Sequence, residues 1–336
     1  MIVVKKSFAV LVAIAGLVGC QSGNNSVSNV DNASTKGDSS FKVALLTPGP
    51  VSDAGWNALA YQALQAIHTQ LGAQVNNQEA VGSGIKDGLR SYAQSNYQLV
   101  FGHGFEYNQP AFEIAKDFPD TVFVTSSGAK TLPNLGAFRF FLEQGFYVAG
   151  AMEAKMSKSG VVGEVGGDKI PDIDSTFKAF EAGAKSVNPN IKIITVYTGS
   201  GTDVAAAKKA TESEIDQGAD MVIHQCDDAA QGVFEACKER HILAIGSNAD
   251  QNDNPSGVVI ASALINCTPA FVDVAKQVQN HTFKGSVILA GMENGTIEFR
   301  INPKFESQIP PDVLSLITQT EAKIKSGAIN VPKENF

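Results

Sequence analysis

The sequence has few of the residues that bind metals or form crosslinks. Its 336 residues include four cysteines, five scattered histidines and a single tryptophan, and no Cys-x-x-Cys or His-x-His spacing occurs. A structural zinc site is therefore not expected, and we predict neither a metal nor a cofactor. If Cys20 is lipidated, as argued below, Cys226, Cys237 and Cys267 remain, and the sequence leaves open which of them pair, if any.

Charge is also scarce, and positive charge more so than negative charge. Charged residues make up 18% of the chain, with 26 Lys and Arg against 34 Asp and Glu, which gives a net charge of −8. No basic patch is present, so a nucleic-acid partner is not expected. Hydrophobic residues make up 43% of the chain, enough to bury large cores.

The motifs of common hydrolases are missing. The sequence contains no Gly-x-Ser-x-Gly elbow, no P-loop and no metal-binding spacing. Asp227 and Asp228 form a carboxylate pair, but adjacent side chains diverge, and a solvated loop explains them. The sequence therefore predicts a protein that is not an enzyme; a hydrolase is the weakest of the alternatives.

The N-terminal segment indicates export. Residues 1–19 contain Lys5 and Lys6, followed by an apolar run (8–18) that is too short to span a bilayer. The run ends Leu-Val-Gly-Cys, which resembles the lipobox of bacterial lipoproteins and predicts that Cys20 is lipidated and becomes the first mature residue. An uncleaved anchor is the alternative.

The segment that follows predicts a tether. Residues 20–40 are rich in Ser, Asn, Asp and Gly and have almost nothing to bury, so we expect a disordered leash. A lipid chain and a leash would hold a globular part outside the cytoplasm, in the periplasm or at the cell surface of a bacterium. The sequence does not distinguish an inner from an outer membrane.

From residue 41 onward, predicted strands and helices alternate. Residues 41–46 form an apolar run stopped by Pro48, Gly49 and Pro50, and an apolar face at helical spacing follows. Such alternation, run twice, predicts the α/β class with two doubly wound parallel-sheet lobes and a ligand cleft between them. We expect lobe 1 at 41–158 plus about 258–285, and lobe 2 at 159–257 plus about 286–336. Residues 286–290 and 295–301 are expected to form a pair of late strands.

Polar and aromatic side chains recur where the predicted strands end, which is where ligands bind in open α/β sheets. For each polar residue a helix cap is the alternative explanation. Trp56 could stack on a flat ligand or could plug the core, and the segment alone does not decide. The candidate ligand-binding residues are Asp53, Trp56, Asn57, Phe105, Glu106, Tyr107, Asp172, Asp203, Asn248 and Asp250.

Several motifs in fixed order resemble one family. They are Glu-Gln-Gly at 143–145 before a helix of small residues, the run 157–167 (SKSGVVGEVGG), Gln-Gly-Ala-Asp at 217–220 and Gly-Val-Phe-Glu-Ala at 232–236. Together they resemble the basic membrane protein family of bacterial lipoproteins, over essentially the whole chain from Cys20. The resemblance implies a type I periplasmic-binding fold, a purine base or nucleoside as ligand, and the permease and ATPase subunits of an ABC importer as partners.

The chain also departs from this family in ways that bear on the ligand. Trp56 stands where many nucleoside binders have phenylalanine, and it resembles a branch associated with purine bases. Residues 199–203 read Gly-Ser-Gly-Thr-Asp and lack the phenylalanine that closes over the base, while 248–251 read Asn-Ala-Asp-Gln instead of Asp-Ser-Asp-Gln. Ile265 takes the place of a lysine that holds ribose hydroxyls. The resemblance therefore favours the fold more strongly than ribose recognition.

These observations predict a binding mechanism. Trp56 stacks on the ligand ring, and Phe105 or Tyr107 supplies the opposite wall. Asn57, Glu106 and Asp250 hydrogen-bond the polar edge of the ligand, and closure of the lobes buries it. A surface lipoprotein that senses another small polar solute is the alternative function, because a fold does not settle a function.

Overall fold

The computed structural model describes residues 41–52 and 55–334. The predicted signal peptide (1–19), the lipidation site Cys20, the tether (20–40) and the candidate residue Asp53 lie outside the described residues. In the part of the chain that is described, no helix is both long enough and apolar enough to cross a membrane.

Strands and helices alternate along the chain, as predicted. The first half contains β1 (Lys42–Thr47), α1 (Trp56–Leu71), β2 (Gln74–Glu79), α2 (Gly84–Gln94), β3 (Leu99–His103), α3 (Asn108–Ile114), β4 (Val122–Ser126), β5 (Leu135–Phe140) and α4 (Leu142–Met156). The second half contains β6 (Val161–Gly166), α5 (Pro171–Val187), β7 (Lys192–Tyr197), α6 (Val204–Asp216), β8 (Met221–Gln225), α7 (Ala230–Arg240), β9 (Leu243–Asn248), β10 (Val259–Ile265), α8 (Cys267–Gln279), β11 (Val287–Ala290), β12 (Ile297–Ile301) and α9 (Pro311–Lys325).

The first strand and helix show how the sequence directs this alternation. Residues 43–46 are fully buried because β1 lies inside a parallel sheet, hydrogen-bonded to β2 on one side and to β3 on the other. In α1, the buried residues Ala60, Leu64 and Ile67 recur at helical spacing and face the core. Gly72 ends the helix in the left-handed region, at φ 67°, where a side chain would be strained.

The strands form two sheets that place the site. Their orders are β11-β5-β4-β3-β1-β2 and β12-β10-β9-β8-β6-β7, and β12 alone of these runs antiparallel to its neighbour. In each sheet the strand order changes direction at the first strand of the lobe, which is β1 in one sheet and β6 in the other. Ligands bind beyond the carboxyl ends of the strands at such reversals. The predicted fold class, two doubly wound parallel-sheet lobes, is confirmed.

The sheet pairings differ from the predicted lobe boundaries. β10, expected in lobe 1, pairs with β9 in the second sheet, and β11, expected in lobe 2, pairs with β5 in the first. The two late strands are therefore not a pair, since β12 joins β10. A run of seven buried residues such as β10, six of them apolar, fits the interior of either sheet, so periodicity alone does not say which sheet it joins.

Helix α4 also lies with the second lobe, although it was expected to end the first. It packs closely on α5, because glycines stand where the two helices touch. A methyl group on Gly150 would overlap the carbonyl oxygen of Phe180, and one on Gly183 would overlap that of Tyr147. The small residues of this helix, noted in the family motif, therefore serve the contact with α5.

The chain crosses between the lobes at neighbouring places. The N–H of Phe141, between β5 and α4, donates to the carbonyl of Ala290 at 2.8 Å, and the N–H of Asn266 donates to that of Thr296 at 2.7 Å. These hydrogen bonds tie together the three crossing segments, which lie after β5, β10 and β11. We call this region the hinge.

The cysteine question that the sequence left open has an answer for the described residues. Cys226, Cys237 and Cys267 are all buried and all free thiols there. Burial raises the pKa of each thiol, so they remain uncharged.

Candidate functional site

A cavity of about 370 Å³ lies between the carboxyl ends of the two sheets. This volume is at the small end of the range for sites that bind small molecules. Residues that follow β1, β3, β4 and β5 line it from one lobe, and residues that follow β6, β8 and β9 line it from the other. The lining side chains that matter below are Trp56, Phe105, Glu106, Ser127, Arg139, Glu143, Asp168, Ile170, Asp172, Thr176, Gln225, Asp227, Asn248 and Ile265.

The half-buried indole of Trp56 lines this cleft at the start of α1. One face of the indole stacks on the imidazole of His103, with ring centroids 3.8 Å apart and planes 23° apart. Phe140 meets the indole edge-on at 6.4 Å. Each of the two interpretations of Trp56, as a core residue and as a ligand-facing residue, is therefore partly right. The side chain packs on the first lobe, and it also forms a wall of the cleft.

The one-turn 3₁₀ helix after β3 (Phe105–Tyr107) points its three side chains to different surroundings. Phe105 is 48% exposed and lines the cleft, and Glu106 lines it as well. Tyr107 does not, because its ring is fully buried in the core and its hydroxyl donates to the carbonyl of Ala80 at 2.5 Å. Of the two aromatic residues expected to face Trp56, only Phe105 is at the cleft.

Two carboxylates approach each other from opposite lobes. Desolvation in the cleft raises the pKa of Glu106, and the nearby Asp172 raises it further. Burial also raises the pKa of Asp172, although the Ser127 hydroxyl, which donates to Asp172 at 2.9 Å, acts in the opposite direction. Ser127 belongs to the first lobe and Asp172 to the second, so this hydrogen bond spans the cleft.

In the second lobe, Asn248 lies at the end of β9 with its backbone in the left-handed region, at φ 63°. Its side-chain amide donates to the carboxylate of Asp227 at 3.2 Å, and both residues line the cleft. Asparagine tolerates this backbone conformation better than most residues. The backbone bend at Asn248 thereby directs its amide toward Asp227.

Three other candidate residues lie away from the cavity, which corrects the expectation from sequence. Asn57 is buried on α1 behind the cleft wall. Asp203 caps α6, where its carboxylate accepts from the N–H of Ala206 at 2.9 Å. Asp250 forms an ion pair with Arg300 at 2.7 Å. The cap that was weighed as the alternative is thus what the structure shows for Asp203.

Other cleft residues were not among the candidates. Gln225, Asp227 and Asp168 lie at or just after strand ends, where the sequence pattern does point to them, although they are not in the list of ten candidates. The buried ion pair of Arg139 and Glu143 had no such signal, because Arg139 lies within a strand whose other residues are apolar. The hydroxyl of Ser175 also donates to the carboxylate of Glu143 at 2.7 Å, which adds a hydrogen bond to the buried ion pair.

The cleft is acidic overall. Glu143 is neutralised by Arg139, but Glu106, Asp168, Asp172 and Asp227 also line the cavity. Such a wall accepts hydrogen bonds from a donor-rich ligand and opposes an anion. Among the described residues, no group of three or more His, Cys, Asp or Glu side chains could hold a metal ion.

Comparisons with known proteins agree with this architecture. Residues 40–335 match the model of the Bmp family, described as ABC transporter substrate-binding protein PnrA-like. A purine-binding protein of Brucella abortus is 31% identical over 294 residues, which cover 86% of this chain and 82% of that protein. The ABC transporter nucleoside-binding protein BmpA of Lactococcus lactis is 26% identical over 361 residues, which cover 99% of both chains.

A solved structure shows the same fold. The solute-binding protein of an ABC transporter system from Conexibacter woesei superposes with a TM-score of 0.72 at 24% identity, covering 87% of this chain and 99% of that one. The family match spans nearly all described residues, and it confirms the resemblance to the basic membrane proteins. The chain therefore belongs to the Bmp family of PnrA-like substrate-binding proteins, which serve ABC transporters and are not enzymes.

Proposed function

We propose that this protein binds a purine base or nucleoside in the cleft and delivers it to the permease and ATPase subunits of an ABC importer. The observation that carries the proposal is the indole of Trp56, which lines a cavity of about 370 Å³ while its other face is covered by His103. A flat aromatic wall in a small cleft suits a planar heterocycle.

Apolar side chains on both lobes support a ring-shaped ligand. Phe105 of the first lobe is 48% exposed and Ile170 of the second is 42% exposed, and both line the cleft. Large apolar side chains gain by leaving water, and a planar ring between the lobes would cover them. Stacking of a base on an aromatic side chain contributes about 1–3 kcal/mol.

Polar groups would recognise the edge of the ring. Glu106 and Asp172 approach from opposite lobes and accept hydrogen bonds, as the N–H groups of purines require. Gln225 is buried to 8% exposure and its side-chain oxygen contacts the hydroxyl of Thr176, so its amide is held in place. A buried polar group left unpaired by a wrong ligand costs about 1–3 kcal/mol.

The free base is the form that the cleft favours. Ile265 lines the cavity and has no group to bond a ribose hydroxyl. Gly201 also lines it, in the loop where the family's nucleoside binders carry phenylalanine. The first feature removes an interaction that only a nucleoside would use, whereas the second removes a wall over the base, which both forms share.

We also propose that Cys20 carries the lipid that holds the protein at the membrane, with 20–40 as the tether and 1–19 as the signal peptide. The apolar run that ends in a cysteine supports this proposal. Metabolic labelling with a fatty acid and a Cys20→Ser variant tests it, since loss of label and release of the protein are expected.

The ligand is tested on a chain of residues 21–336. Mass spectrometry identifies any small molecule that copurifies, and calorimetry measures binding of adenine, hypoxanthine, adenosine and guanosine. Trp56→Ala is expected to weaken the tightest of these by about 5- to 150-fold.

Tyr61→Ala is the matched control, because Tyr61 lies further along α1 and outside the cleft. It should leave affinity unchanged. If none of the four compounds binds, the ligand class is wrong. If Trp56→Ala binds as tightly as the parent, the stacking role is wrong.

A further inference from the structure

A buried histidine lies directly beneath the only indole in the chain. His103 is the last residue of β3, and its side chain is fully buried. Its ring stacks on Trp56 with centroids 3.8 Å apart, and Phe271 meets it edge-on at 6.2 Å. One face of the Trp56 indole is therefore covered by protein, which leaves the opposite face as the one that a ligand can use.

The hydrogen bonds of His103 define its tautomer. Its Nε2 atom lies 2.9 Å from the carbonyl oxygen of Trp56, which can only accept, so Nε2 carries the proton. Nδ1 is then an acceptor, and the hydroxyl of Ser126 donates to it at 2.6 Å. Burial lowers the pKa of His103 to about 3, so the ring is neutral at physiological pH and this arrangement is kept.

Trp56 is thus held at two points by one side chain. The imidazole face supports the indole, and the imidazole N–H binds the Trp56 backbone. This support falls at the end of the helix, because Trp56 is the first residue of α1. The neutral ring and the carbonyl restrict both the position of Trp56 and the plane of its indole.

We propose that His103 is a positioning residue for ligand recognition, which holds the indole of Trp56 flat against the first lobe so that its outer face receives the ligand ring. The proposal rests on the proposed function above. Its physical basis is preorganisation: an indole already fixed in the binding orientation loses less conformational freedom when the ligand stacks on it.

The single tryptophan makes the position of this side chain measurable without any ligand. In His103→Asn the stack is lost, and in Ser126→Ala the ring stays but loses its donor at Nδ1. We expect His103→Asn to raise acrylamide quenching of the indole fluorescence about twofold or more and to weaken the near-ultraviolet dichroism of Trp56, since both faces become accessible. Ser126→Ala should change both signals in the same direction by less.

The matched control is His224→Asn. His224 is a second buried, neutral imidazole, and it lies on β8 in the second lobe. Its Nε2 atom is 2.8 Å from the side-chain oxygen of Gln251, and it contacts no indole. This variant loses a comparable buried ring, so it should change thermal stability while leaving the fluorescence and dichroism of Trp56 unchanged.

The ligand arm uses adenine as the probe. We expect His103→Asn to bind adenine about tenfold more weakly and His103→Phe, which keeps a flat ring, to recover part of that loss. If the quenching and dichroism of His103→Asn match the parent, or if the indole is displaced and adenine affinity is unchanged, the positioning role is wrong.

Two results separate this proposal from the proposed function. If the parent binds neither adenine nor hypoxanthine, adenosine or guanosine, the ligand class is in error, and the quenching and dichroism alone then decide whether His103 positions the indole. If His103→Asn shows no cooperative thermal transition, Ser126→Ala decides, since it removes only one hydroxyl group.

Discussion

Ser127 and Asp172 are joined across the cleft: the hydroxyl of Ser127, just after β4, donates to the carboxylate of Asp172, in the first turn of α5, at 2.9 Å. The two residues belong to different lobes. The N–H of Ser127 also donates to the carbonyl of Phe138 at 2.9 Å, so the hydroxyl is anchored to the first sheet. If the lobes close on the ligand as predicted, this hydrogen bond belongs to the closed arrangement and is lost on opening.

Removing this hydroxyl should weaken ligand binding through closure. We expect Ser127→Ala to lower affinity for the cognate purine by about tenfold, because hydrogen bonds to charged groups contribute about 1.5–3 kcal/mol and part of this is regained from water. Calorimetry measures the affinity, and small-angle X-ray scattering measures the fraction of closed molecules at saturating ligand.

Ser186→Ala is the control for this change, since the Ser186 hydroxyl bonds only the carbonyl of Gly183 within its own helix. Affinity should not change in that variant. Equal affinities for Ser127→Ala and the parent would mean that the interlobe hydrogen bond does not contribute to the bound state.

The acidic cleft predicts discrimination by charge. Adenosine monophosphate should bind at least about tenfold more weakly than adenosine, since a phosphate near Asp168 and Asp227 meets repulsion of about 1 kcal/mol or more per charge pair. Asp168→Asn should reduce the difference in affinity between adenosine and adenosine monophosphate, and added salt should reduce it as well. A monophosphate that binds as tightly as adenosine in dilute buffer would contradict this reading of the cleft.

Three buried glutamates should make the protein less stable as the pH rises. Burial raises the pKa of Glu164 to about 8 and that of Glu214 to about 9, and it raises the pKa of Glu153 well above its usual value. The folded protein therefore holds protons that the unfolded chain releases, so the free energy of unfolding falls as the pH rises from about 5 to about 9. His103 and His224 have lowered pKa values and act oppositely, but only below about pH 6.5.

Above about pH 7 the histidines no longer contribute, and the free energy of unfolding should fall by about 1.4 kcal/mol per pH unit for each proton that only the folded state holds. Denaturant unfolding at a series of pH values measures it. Glu164→Gln should flatten the slope and keep an acceptor for the hydroxyl of Thr195, which now donates to Glu164 at 2.6 Å. Glu113→Gln, at an exposed ion pair with Lys86 in the first lobe, should leave the slope unchanged, and a slope equally steep in both variants would refute the assignment.

The C-terminal segment should stabilise the hinge. The N–H of Glu334 donates to the hydroxyl of Ser175 at 2.9 Å, its carboxylate pairs with Lys178 at 2.7 Å, and the ammonium of Lys333 lies 4.0 Å from the ring centroid of Phe141. These contacts link the crossing segment after β5 to α5.

A chain that ends at residue 330 should therefore unfold more easily, by about 1–2 kcal/mol, and exchange the amide of Phe141 faster. Hydrogen exchange with mass spectrometry detects the local change. Lys208→Ala, which breaks an exposed ion pair with Glu239 elsewhere, is the comparison and should leave the exchange at Phe141 unaltered.

Much of the fold was predictable because local patterns report burial directly. The apolar run of β1 and the helical spacing in α1 fall where expected. The assignment of β10 and β11 to lobes was not predictable, since a buried strand looks the same whichever sheet it completes. The same limit applied to the site. The sequence indicated that residues after strands would form it, but not which of their side chains point into the cleft.

Sequence alone established the alternating α/β pattern, the acidic balance, the family motifs and the presence of one indole between the first predicted strand and its helix, because each of these depends on residue type and spacing along the chain. Tertiary structure decided which strand-end residues face the ligand: Trp56, Glu106 and Asp172 lie at the cleft, whereas Tyr107 turns into the core and Asp203 caps a helix. The reason is that side-chain direction depends on the neighbours supplied by distant segments, as His103 and Ser126 do for Trp56, and such neighbours have no local signature.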